Sequence, residues 1–375
     1  MRVGIVVPGG ADRSGTHRVI PVLLALGERL AAVVDVHVFA LVQDDRPARY
    51  VVRGFPVTNV GSGRTRLRAV RALLREHRRQ PFDVLHAFWA GGPGQVAVTA
   101  GAIVRRPVVV HVAGGELARL PEIAYGALTR RNRVATRFVL RRAAVVTAAS
   151  GMIQAQVAAA GVRAERLPLG VDAREWPPLP PRARPAGRSA RLVHIASLNA
   201  VKDQPTLLSA VAAVAEAGEA CTLDIVGTDT LGGGVQRRAV ELGVANRVRF
   251  HGFLPQPAVR TVLQDADVLV MSSLHEAGPV VLLEAAMAGV PTVGTAVGMI
   301  ADWAPDAAVA VPPGEARALA AGILGVLRDD RRRLALAAEA QRRAIRDDAD
   351  ATARRVVEIY RRLAAARVRP IPGIA

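Results

Sequence analysis

The amino-acid sequence predicts two doubly wound α/β domains facing a cleft. Short apolar runs alternate with helix-length segments from the first residue, the pattern of parallel sheets covered on both sides. A proline-rich stretch over 173–190 interrupts the alternation once, after which it restarts. At 375 residues the chain is long enough for two full cores.

In residues 1–172 strands are expected at 3–7, 36–41, 84–87, 108–112 and 144–147, with helices at 20–31, 64–79 and 129–142. Pro177, Pro178, Pro180, Pro181 and Pro185 make 173–190 an exposed linker. Residues 191–350 give strands at 192–196, 222–226, 248–250, 268–271 and 292–293, with helices at 204–216 and 235–242 and others ending near Leu263 and Ala288. The tail 351–375 holds a last helix near 353–366, expected to pack back on the first domain. Ligands of such sheets collect beyond the carboxyl ends of the strands. That rule selects the loops 8–10, 86–94 and 113–116, and then 197–203, 227–234, 251–255 and 272–279.

Charge adds a second clue. Of 50 basic residues 49 are arginine, and Lys202 is the one lysine. Lysine is a compact point charge suited to a tight phosphate pocket, whereas arginine is a broad planar fork. Lys202 thus marks either a place where arginine does not serve or a chance survivor. Residues 1–172 hold 25 Arg against 11 acids, and residues 173–375 hold 25 Arg and Lys against 21. An anionic partner for the first half and a merely arginine-rich coat both fit. Arg64, Arg68, Arg71, Arg75, Arg78 and Arg79 recur at helical steps opposite Leu67, Val70 and Leu74, and Arg130, Arg131, Arg133, Arg137, Arg141 and Arg142 form a second basic segment. These ridges fit an anionic membrane surface or a solvated face. Aromatic residues are only 3% of the chain, which argues against nucleic acid. Cys221 stands alone, and neither a signal peptide nor an apolar run near twenty residues is present. A cytoplasmic protein, peripheral on the inner membrane face if the ridges bind lipid, is the expectation.

The densest chemical signal runs from Ser272 to Pro291. Gly278 relaxes a turn and Pro279 suits a first helical position, so free N–H groups at the helix start attract phosphate. Glu276 precedes that helix and Glu284 lies within it, a carboxylate able to accept both hydroxyls of a ribose. A capping Glu276 and a solvated Glu284 are the structural alternative. With Leu169-Gly170-Val171-Asp172, Ala196–Asp203 in the sense Ala-Ser-Leu-Asn-Ala-Val-Lys-Asp, and the strands around Gly227 and Phe253 in the same order, the chain resembles the retaining glycosyltransferases of family 4, which have the GT-B fold of two Rossmann-like domains. The resemblance covers nearly the whole chain.

It implies a nucleotide-diphosphate sugar as donor substrate, a hydroxyl acceptor such as a lipid or glycan, and neither cofactor nor metal. Lys202 would pair with the donor diphosphate and Glu276 would touch hydroxyls of the transferred sugar. Backbone amides around Gly278, Pro279 and Val280 would hold phosphate and sugar, and Glu284 the ribose. Main-chain groups near Gly227 and Phe253 would meet the base, while Gly9 and Gly10 let the first domain approach the diphosphate. Glu116, His86 and His111 are the candidates on the acceptor or sugar side, with His111 read more readily as a core residue. Two departures stand out. Ser197 replaces the family's usual arginine, and Ala113 a frequent histidine. They keep open a non-catalytic nucleotide-sugar-binding partner subunit. Asp265-Ala266-Asp267 imitates a metal-binding pair but sits where a helix meets a strand, as punctuation.

Overall fold

The computed structural model describes residues 1–185 and 187–368, and the chain forms two compact units. One is Met1–Gly170 with the helix Ala349–Val368, and the other is Val171–Asp348.

The first unit carries an eight-stranded sheet in the order Glu165–Arg166, Val145–Ala148, Val108–Val112, Val84–Phe88, Arg2–Val7, Asp35–Ala40, Phe55–Asn59, Ala48–Val52. Neighbours run parallel except for the hairpin of the last two strands. Its central strands are buried throughout and largely apolar, with Arg2, His86 and His111 as the polar exceptions, as suits strands covered on both faces. The hairpin and the helix Gly92–Val104 are additions to the sequence reading. The helix begins Gly-Pro-Gly, which reads as loop, yet proline is well placed in a first turn. The helix Thr65–Arg79 buries Ala69, Leu73 and Glu76, while Leu67 is exposed. The stripe is therefore shifted from the expected Leu67, Val70 and Leu74, because Glu76 is drawn inward by Arg2 and Arg49.

The second unit holds six parallel strands in the order Val248–Gly252, Cys221–Val226, Ala190–Ile195, Val268–Met271, Thr292–Thr295, Val309–Val311. Strand order reverses between Ala190–Ile195 and Val268–Met271, so the loops following these two neighbours diverge at a crevice. In the first unit the reversal lies between Arg2–Val7 and Val84–Phe88.

The segment 173–190, expected as an exposed linker, packs as part of the second unit. Much of it is exposed, but it is tied along its length. Trp176 is 2% exposed under the Arg260 guanidinium. Leu179 N–H donates to the Met287 carbonyl at 2.8 Å, and Arg184 and Arg188 bind Glu219 and Asp267. Prolines restrict the unfolded chain, so docking such a segment loses less entropy than docking a flexible one.

The helix Ala349–Val368 completes the first unit's core. Val356, Val357, Ile359 and Tyr360 pack in one cluster with Val3, Ile5, Leu24 and Val84. The Tyr360 hydroxyl bonds His86 Nδ1 at 2.7 Å, and Thr352 Oγ1 accepts from Gly170 N–H at 3.0 Å. Tyr360→Phe keeps the ring but strands a buried nitrogen. A loss of about 1–3 kcal/mol is expected, read as a lower urea midpoint of the first unit's transition.

Candidate functional site

The two loops leaving the second unit's switch point are joined by charge. Lys202 ends a short 3₁₀ turn, Ala200–Lys202, and its Nζ meets Glu276 Oε1 at 2.5 Å. Glu276 is 9% exposed and also accepts from Ser273 Oγ at 2.8 Å. A carboxylate so shielded needs a cation, and Lys202 supplies it. The backbones are stitched as well: Ser272 Oγ donates to the Lys202 carbonyl at 2.7 Å, and Leu274 N–H to the Val201 carbonyl at 2.8 Å. Asp203 then takes a left-handed conformation (φ 47°) and caps the helix Gln204–Glu216.

Two glycines let neighbouring segments pack closely against these loops. Gly227 has φ 149°, and a Cβ there would lie 2.0 Å from the Ala196 carbonyl oxygen. Gly298 has φ 53°, with its Cβ position 2.7 Å from the Glu276 carbonyl oxygen. Gly298 was not singled out from sequence, where it resembles any loop glycine. Beneath the Lys202 loop lies another unforeseen brace. His194 Nδ1 faces the Val270 carbonyl at 2.9 Å, and Gln204 Nε2 lies 3.3 Å from both His194 Nε2 and the Ser197 carbonyl. Burial holds His194 down to about 4, so it is a neutral strut with the proton on Nδ1. A histidine within the apolar run Leu192-Val193-His194-Ile195 was its only signal.

The helix Val280–Met287 follows Pro279 and has no acidic residue in its first turn and no side-chain cap. Its leading N–H groups and positive dipole end are available to an anion. Glu284 lies in this helix, 9% exposed, and among the described residues no donor reaches its carboxylate. Burial, with the nearby charge of Glu175, raises it to about 7. Glu175 comes from the proline-rich segment and could not be placed here from sequence. Ser197 is exposed. Phe253 is 60% exposed, following Gly252, whose carbonyl accepts from Gly227 N–H at 2.8 Å. Asp267 accepts from Arg188 and from Arg191 N–H, and Asp265 lies 3.5 Å from Arg191, so the Asp-Ala-Asp segment pins strand beginnings.

In the first unit, Gly9 and Gly10 follow the central strand. A Cβ on Gly9 would lie 2.8 Å from the Val42 carbonyl oxygen, and Gly10 has φ 79°. The loop is anchored by Gln43, whose Oε1 accepts from Ala11 N–H at 2.9 Å, and by Arg18 between Asp12 and Asp44 at 2.7 and 2.6 Å. Across the switch point Glu116 Oε1 accepts from Ala90 N–H at 3.0 Å, and its Oε2 is buried without a partner. Burial raises this carboxyl above its ordinary range, against the opposing pull of nearby backbone N–H groups. His86 and His111 correct the expectation of acceptor contact. Both are fully buried; His86 bonds Tyr360 and His111 Nδ1 bonds Thr147 Oγ1 at 2.9 Å. Burial keeps both imidazoles neutral, His111 down at about 3. They are core residues packed around Phe88.

Comparison with known proteins supplies the context. Residues 19–170 match the family model of the glycosyl transferase 4-like domain, and residues 181–343 that of the glycosyl transferases group 1. The D-inositol 3-phosphate glycosyltransferase of Thermomonospora curvata is 35% identical over 180 residues, 45% of this chain and 42% of that protein. The chain thus matches less than half the length of that relative. The MMP alpha-(1->4)-mannosyltransferase of Mycolicibacterium hassiacum is 29% identical over 78% of this chain and 72% of its own. Among solved structures, Anabaena HepE in complex with UDP superposes with TM-score 0.75 at 20% identity over 96% of this chain and 100% of that chain. Sucrose-phosphate synthase from Thermosynechococcus elongatus gives TM-score 0.80 at 18% identity over 98% and 100%. At such identities the likeness concerns the fold.

Glu284 yields a test with a definite sign. Its carboxyl is raised from 4.5 to about 7 in the folded protein, so the folded state holds the proton more tightly. Stability from this group is present below the unfolded value and is lost as pH rises through the folded one. Glu284→Gln should therefore raise the Tm of the second unit at about pH 8 and change it little at about pH 5. An equal shift at both pH values would refute the buried-carboxyl assignment.

Proposed function

The chain belongs to the group 1 glycosyltransferases, with the GT-B fold, and on that premise we propose that it moves a sugar from a nucleotide-diphosphate donor to a hydroxyl acceptor, with retention of configuration and without a metal. The observation that carries this reading is the Lys202–Glu276 pair beside the uncapped start of Val280–Met287. A cation and a row of free N–H groups converge where a diphosphate would gather negative charge as it departs. Relatives in the comparison are named for glycosyl transfer, and HepE was solved with UDP.

In the proposed reaction the bond from the sugar's anomeric carbon to the diphosphate oxygen breaks, and its electrons leave with the diphosphate. Lys202 swings from Glu276 to that charge. This frees Glu276 to accept from sugar hydroxyls, so one ion pair is exchanged for two charge-assisted contacts. The acceptor oxygen bonds the anomeric carbon on the face being vacated, and its proton passes to the departing phosphate oxygen. No enzyme carboxylate need act as nucleophile. Glu284 takes the ribose diol. The proposal assigns the base to main-chain groups near Gly227 and Phe253, contact with the diphosphate to Gly9 and Gly10, and contact with acceptor or sugar to Glu116. Positioning and electrostatics then supply most of the rate.

A second reading is favoured by Ala113, standing where the family often has histidine, and by Ser197. The latter is exposed where the family usually has arginine, and a non-catalytic nucleotide-sugar-binding subunit would tolerate both losses. Turnover of donor by purified protein separates the two: transfer or slow donor hydrolysis supports the enzyme, and donor binding without either supports the subunit.

Lys202→Arg retains charge and changes shape. At least a tenfold loss in kcat/KM is expected, about 1.4 kcal/mol of transition-state stabilisation; wild-type kinetics would remove Lys202 from the mechanism. Transfer should also persist in excess EDTA. Loss of activity that Mn²⁺ or Mg²⁺ restores would overturn the metal-free proposal.

A further inference from the structure

The helix Arg130–Arg142 presents one continuous outer face made of Arg130, Arg131, Val134, Arg137, Phe138, Arg141 and Arg142. These residues recur at three- and four-residue steps, so they form one stripe. Val134 is 58% and Phe138 54% exposed, four residues apart in the middle of the stripe. The guanidinium of Arg142 lies 5.8 Å from the Phe138 ring centroid. No acidic residue occurs in the helix. The opposite side, with Thr136, Val139 and Leu140, is buried in the first unit.

Beside this stripe runs a groove of about 640 Å³, floored by Gln95, Val98 and Thr99 of Gly92–Val104 and walled by Val134, Ala135 and Phe138, with Arg130 and Arg131 at its rim. Gly92–Val104 lies between Arg130–Arg142 and the arginine-rich Thr65–Arg79, and it adds exposed Ile103. A face that served only solubility would not hold a phenylalanine and a valine out in water at its centre. Apolar side chains flanked by arginines on a surface helix match the boundary between acyl chains and anionic headgroups.

We propose that this face of the first unit docks on an anionic membrane surface, with Val134 and Phe138 entering the acyl boundary and Arg130, Arg131, Arg137, Arg141 and Arg142 binding the headgroup phosphates. The proposal does not depend on the donor site, so its test needs neither donor nor turnover.

The test is co-sedimentation of the intact protein with vesicles of phosphatidylcholine alone and of phosphatidylcholine with phosphatidylglycerol. Binding should need the anionic lipid and fall steeply with added salt. Val134→Ser with Phe138→Ser should lower the partition coefficient about tenfold or more while leaving every charge in place. Arg137→Gln with Arg141→Gln should lower it similarly. Both pairs are solvent-exposed, and an unchanged Tm shows that the fold is intact. Fluorescence of a label at position 138 should shift to the blue on anionic vesicles, reporting insertion. Three results overturn the proposal: equal recovery on neutral and anionic vesicles, unaltered binding by the Val134/Phe138 variant, and binding to duplex RNA with no binding to vesicles.

Discussion

A shielded carboxylate must be neutralised where it stands, and in the second unit Glu276 imposes that requirement on its surroundings. Lys202 meets it only if two loops from adjacent parallel strands approach within a side chain's reach. The strand order makes the approach feasible, because Ala190–Ile195 and Val268–Met271 are parallel neighbours and the loops that follow them start side by side. The remaining local features follow from this need. Gly227 and Gly298 remove the Cβ atoms that would collide with loop carbonyls, Ser272 and Leu274 close the backbone seam, and His194 with Gln204 fills the space below without adding charge. Such a pair is preorganised yet exchangeable. An anion arriving at the helix start competes for the same ammonium group.

The three unusual carboxyls, Glu116, Glu276 and Glu284, show different solutions to burial. Glu276 is paired. Among the described residues Glu284 has no donor, and a like charge lies nearby, so it tends to keep its proton near neutrality. Glu116 uses one oxygen to cap the backbone at Ala90 and leaves the other unfilled. Folded proteins rarely leave buried polar atoms without partners. Such a group is either a local cost or the negative image of something that binds.

Periodicity disclosed most of the two sheets, because central parallel strands are largely apolar runs and contrast with the helices between them. It failed where the local chemistry had two meanings. Gly92-Pro93-Gly94 looks like a turn but opens a helix, and Ala48–Val52 is a short edge strand whose Ala-Arg-Tyr-Val-Val run forms no continuous apolar stretch. Lys202, Glu276 and Glu284 were legible because they lie in short, ordered motifs. Glu175 was not, since it reaches Glu284 only through the docking of the proline-rich segment. His86 was misread for a related reason, whereas His111, read more readily as core, is core. A polar residue near a strand's end can face ligand or core, and here Tyr360, 274 positions from His86, decides for the core.

The helix Ala349–Val368 gives the chain an unusual order of assembly during synthesis. Domains generally fold as they leave the ribosome, first made and first finished. Here the first unit must wait. Its sheet is translated early, but Val356, Val357, Ile359 and Tyr360, which fill its core, arrive only after the whole second unit has been made. Until then His86 lacks its hydroxyl partner and the apolar floor beside Val3 and Ile5 remains uncovered. The second unit, contiguous from Val171 to Asp348, can close without help. A nascent chain from which residues up to 348 have emerged and the helix 349–368 has not would therefore carry a finished second unit behind an open first one, and chaperones that read exposed apolar surface would find their target near the amino terminus.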